Sequence, residues 1–97
     1  MKDKGEIFER LLHAAARNKV KVQMFPGLKG AYGRIRERRI GIASNQRIDE
    51  INYTLAHELA HFYLHSDKGN IMGKSNEWEY EEQADRAAKM LLDVLSE

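Results

Sequence analysis

The chain predicts an α+β domain in which about three helices pack on a small three-stranded antiparallel sheet, in the order α-β-β-β-α-α. Three observations lead there. Both ends show apolar residues at helical spacing, a period-two stretch begins near residue 20, and a turn-punctuated hairpin pattern follows it. With 97 residues, 42% of them hydrophobic and 32% charged, residues 1–97 are read as one globular domain.

Residues 3–18 read as the first helix, with Ile7, Phe8, Leu11, Leu12 and Ala15 on one side. Arg17 and Lys19 flank Asn18 where it should end. Val20, Val22 and Met24 alternate with Lys21 and Gln23 as a first strand. Pro26-Gly27 and Gly30 mark a loop. Residues 31–36 and 39–43 then form a hairpin that turns near Glu37-Arg38, with Ile35, Ile40 and Ile42 on its buried side. A second helix is expected over about 47–66, approached through Ser44 or Asn45 and ended by Lys68-Gly69-Asn70. A loop through Gly73 leads to the last helix, where Asn76 and Glu79 have capping-box spacing. Its apolar stripe is Ala84, Ala87, Ala88, Leu91, Leu92 and Leu95.

The chemistry is concentrated in His57-Glu58-Leu59-Ala60-His61. Histidines four apart on a helix lie about 40° apart around the axis and one turn apart along it, so both imidazoles reach one zinc ion. Glu58 points about 100° away from His57, where its carboxylate can take a proton from a water activated by the metal. A catalytic zinc site usually has three protein ligands and one open position, so a third is required. The spacing H-E-x-x-H-x-x-G-x-x-H would put it at Asp67, but Leu64 stands at the glycine position and favours a continuing helix. The alternative is Glu81-Glu82-Gln83-Ala84-Asp85, an E-x-x-x-D pattern on the last helix. Glu81 falls on the apolar stripe, whereas Glu82 aligns with Arg86, Lys89 and Asp93 on a charged face. A carboxylate on the stripe needs a partner, and zinc would be one. Glu77 also lies near the stripe and stays in reserve as third ligand. Asp85, one turn on, can accept a hydrogen bond from the distal nitrogen of His57 or His61.

The run from Ile51 to His65, with Thr54-Leu55-Ala56 before the pentapeptide's core and Leu64-His65 after it, resembles the active-site helix of ImmA/IrrE-type metallopeptidases. Residues 81–92 resemble that family's second motif, and the likeness spans roughly residues 19–92. It implies zinc on His57, His61 and Glu81, with Glu58 as general base and Asp85 behind the ligands. It also implies a cytoplasmic protease that cleaves a helix-turn-helix transcriptional repressor, an antirepressor. Two positions depart from the pattern: Ala87 stands where phenylalanine is usual, and Asp93 follows Leu92 in place of Met-Pro. Five residues follow Leu92, so the C-terminal segments of larger members are expected to be missing, which bears on substrate choice.

Other function classes are disfavoured. The net charge of +1 points to no direct nucleic-acid binding, and Arg34, Arg36, Arg38 and Arg39 read as a solvated sheet face. No apolar run approaches a membrane span, and no secretory segment follows Met1. The absence of cysteine leaves zinc to nitrogen and oxygen ligands. His65, continuing the i, i+4 series, turns away from the metal. The competing function is a catalytically silent binding module on the same fold, which would regulate a partner by sequestration.

Overall fold

The computed structural model describes residues 3–29, 31–34, 37–65 and 77–97, without the side chains of His65 and Glu77. Three helices and three strands follow the expected order: α1 (Lys4–Arg17), β1 (Lys21–Phe25), β2 (Ala31–Arg34), β3 (Arg39–Ala43), α2 (Ile48–His65) and α3 (Glu77–Leu95). Expectations for Gly30, Ile35, Arg36, Lys68-Gly69-Asn70, Gly73 and Asn76 lie outside the described residues, as do those for the side chains of His65 and Glu77.

Helix α1 starts because Asp3 Oδ1 accepts the Glu6 N–H at 2.9 Å, satisfying a donor that the first turn leaves free. It stops at Asn18, where Lys19 takes a left-handed φ of 58° and the Lys19 and Val20 N–H groups turn back to the carbonyls of Ala16 and Ala15. This double return bond normally places glycine where Lys19 stands. Lys19→Gly should therefore stabilise the fold by about 0.5–1 kcal/mol, because relief of the left-handed strain exceeds the entropy a glycine loses. Thermal melts should show a rise of a few degrees, and an unchanged or lower midpoint would refute the strain.

The sheet differs from the expectation in one respect: it is mixed. Strand order is β1-β3-β2, with β2 antiparallel to β3 but β1 parallel to it. Val22 pairs with Ile40 and Met24 with Ile42, while Gly33 and Ala31 lie opposite the same two isoleucines. The reason is the partition of apolar residues. Ile40 and Ile42 are almost fully buried, so β3 takes the centre. Strands β1 and β2 are then left two strand spacings apart, about 9.6 Å. The loop after Pro26-Gly27 spans that gap over the end of β3, where Ser44 N–H donates to Phe25 O at 3.1 Å. At the opposite end, Arg38 has a left-handed φ of 53°, and its guanidinium donates to the Asn18 carbonyl at 2.6 and 3.2 Å. Arg38 thus ties the β2–β3 turn to the end of α1, and Arg34 lies over the Tyr32 ring at 5.6 Å. Arg34, Arg38 and Arg39 are all exposed, as expected of a solvated face.

Helix α2 is the hub. Ile51, Leu55, Leu59 and Phe62 run down one side and join Leu11, Val20, Ile40 and Ile42 in the core. Asn52, also buried, donates from Nδ2 to the Lys4 carbonyl at 2.9 Å and pins the start of α1 to α2. On α3, Ala84 and Ala88 are fully buried, and α2 buries Ala56 and Ala60. Small residues on both helices allow their axes to approach closely, which places the start of α3 beside the middle of α2. Among the described residues, no helix is long and apolar enough to cross a membrane.

Candidate metal centre

His57 and His61 leave α2 on the side that α3 covers. Their rings lie 4.9 Å apart, centroid to centroid, in an edge-to-face arrangement. Helical spacing accounts for this directly, since residues four apart stack one above the other. From α3, the Glu81 carboxylate reaches both: Oε2 lies 3.0 Å from His57 Nε2 and Oε1 lies 2.8 Å from His61 Nε2. The two imidazoles are largely buried, while Glu81 is half-exposed at the mouth. Glu81 is thus more open than its place on the apolar stripe predicts.

Donor atoms of His57, His61 and Glu81 all lie within 4.8 Å of one another, the group of this kind found among the described residues. Tetrahedral zinc ligands at ~2.0–2.1 Å lie about 3.3 Å apart, so donor atoms already within 4.8 Å of one another can close on one ion by side-chain adjustment. Two imidazole nitrogens and a carboxylate oxygen suit zinc, and three protein ligands leave a position open. The residues present fit the ion.

Glu58 points toward β2. Burial raises its carboxyl above the ordinary carboxylate range; the charge of His57 opposes this and that of Glu81 adds to it. A carboxyl whose folded-state pKa lies above its unfolded value stabilises the fold while it is neutral, and that contribution is lost as the pH rises through the folded value. Metal-free Glu58→Gln should therefore melt higher than metal-free wild type at pH 8, with the gap closing toward pH 4. A gap that is constant or reversed across that range would contradict the burial cost.

Asp85 has a close partner on its own helix. Its carboxylate pairs with Lys89 Nζ at 3.0 Å, one turn further along α3, and His57 Nδ1 is buried with no hydrogen-bond partner. Glu82 pairs with Arg86 at 2.7 Å on the solvated face, as its alignment predicts. The reserve ligand Glu77 lies outside the described side chains. Tyr63 and Trp78 are strongly exposed. An apolar hollow of about 330 Å³, lined by Ala14, Leu59, Tyr63 and Met90 among others, includes none of His57, Glu58, His61 or Glu81. Chemistry, and not that hollow, marks the site.

One close neighbour of the site escapes the sequence reading. Gly33 of β2 lies directly against the Glu58 carboxylate, with Phe62 beside it. Its signal was available: a glycine inside a strand often marks a close approach of backbone to another group.

An H-E-x-x-H helix beside a second helix that returns a carboxylate to both histidines, over a small mixed sheet, defines a metallopeptidase fold. Residues 15–92 match the family model Peptidase_M78, described as the IrrE N-terminal-like domain, and the chain belongs to that family. No curated protein matches the chain.

Proposed function

We propose that the protein is a zinc-dependent endopeptidase that cuts a partner protein, with His57, His61 and Glu81 as the metal ligands and Glu58 as general base. The observation that carries this reading is the meeting of His57 Nε2, His61 Nε2 and both Glu81 oxygens, from two helices, beside the half-buried Glu58. Zinc held by these side chains supplies Lewis acidity for the attack of water on a peptide carbonyl. Glu58 takes the proton of the attacking water and returns it to the leaving amine.

The sheet supplies a way to hold the substrate. β2 is an edge strand and Gly33 brings it against Glu58, so an extended peptide pairing along its free edge would lie beside the base. The partner we assign is a helix-turn-helix transcriptional repressor and the setting is the cytoplasm; both come from the family likeness. The test is incubation of zinc-loaded protein with repressors encoded by neighbouring genes, with mass spectrometry of the products. Cleavage at a defined bond that stops on chelation and returns with zinc supports the reading. An intact repressor held in a stable complex after long incubation would replace it with sequestration by a silent binding module.

A further inference from the structure

Gly33 occupies the middle of β2, opposite Ile40 in a regular antiparallel register. Glycine weakens a strand relative to alanine, and this backbone makes no demand that glycine alone can meet. What excludes a side chain is a single neighbour. A methyl group on the Gly33 Cα would collide with Glu58 Oε1, whereas Phe62 Cε2 at 3.5 Å and Glu58 Cδ at 3.6 Å sit at ordinary contact. The colliding atom is the far end of a flexible side chain, so the strand would survive the change and the carboxylate would move.

We propose that Gly33 is a positioning residue for Glu58: the bare backbone of β2 forms the slot that holds the carboxylate beside His57, His61 and Glu81. The functional half of this proposal rests on the reading of Glu58 as the base; the packing half does not. Any side chain at position 33 drives the carboxylate out of the slot. Because the observed placement of Glu58 is its preferred one, displacement can only cost free energy. Introducing alanine must therefore be less favourable with Glu58 present than without it, whatever alanine gains for the strand.

The experiment is a double-mutant comparison of melting temperatures on the metal-free protein. Gly33→Ala should raise the midpoint by a few degrees in a Glu58→Ala background, and should raise it clearly less or lower it when Glu58 is present. Equal shifts in the two backgrounds would overturn the proposal. On a repressor that zinc-loaded wild type cuts, Gly33→Ala should lower kcat on the order of tenfold to a hundredfold, with zinc content and KM kept. An unchanged kcat would overturn the positioning role. Should wild type cut no repressor, the peptidase reading fails, and the melting comparison still decides whether Gly33 holds the slot.

Discussion

Glu58→Gln should lower cleavage of the partner by about 10²–10⁴-fold while zinc stays bound at wild-type stoichiometry. Glutamine keeps the shape of the side chain, so the contact with Gly33 and the packing of α2 against β2 change little. It loses the capacity to accept a proton from water and deliver it to the leaving amine. The proposed ligands are untouched: His57, His61 and Glu81 carry the three donor atoms that lie within 4.8 Å of one another. Elemental analysis and a cleavage assay on the same preparation separate the two roles. Full cleavage by a well-purified Glu58→Gln protein would end the mechanism, and loss of zinc together with cleavage would make Glu58 a ligand. Higher stability of the metal-free variant at pH 8 would accompany lost activity, which is the usual trade at a site that holds a carboxyl against its solvation preference.

Glu81→Ala should take zinc content from about one per chain to well below one. Two imidazoles on one helix remain, and two ligands hold zinc poorly compared with three. Stability gives a second readout. A ligand that binds only the folded state adds about 2.7 kcal/mol at 100 times its Kd, so zinc should raise the wild-type melting temperature by roughly 10–20 °C in a domain of this size. The same addition should scarcely move the variant. The metal-free variant itself should melt near the metal-free wild type, because Glu81 is half-exposed and its two contacts are discounted by water. Zinc retained in full by Glu81→Ala would transfer the third-ligand role, with Glu77 first in line.

Much of this site was legible because its spacing is local. His57, Glu58 and His61 are set by a single helix, whose 3.6-residue repeat determines which side chains stack whatever else the chain does. Glu81 was separable from Glu82 by the same periodicity, and Glu82 indeed faces Arg86 in the solvated row. Asp85 shows a limit of periodicity: the helix sets its spacing, but the pattern does not tell that its carboxylate pairs with Lys89 one turn on. Competition among partners is decided by small differences in position that a sequence pattern does not contain.

The sheet makes the same point on a larger scale. Alternation in residues 20–24 and 39–43 identified the strands, and Ile40 and Ile42 as core, but alternation is indifferent to strand direction. Burial of β3 in the centre placed β1 parallel to it and left β2 at an edge, against Glu58.

By itself, then, the sequence determined the element order, the buried stripes and the identity of three residues on one helix, since each depends on a repeat internal to one segment. Only the tertiary structure decided that the Glu81 carboxylate reaches both histidines at once, which strand borders Glu58 and that Gly33 lies against its carboxylate. Those depend on how closely separate elements approach, and that distance is set by the packing of the whole core.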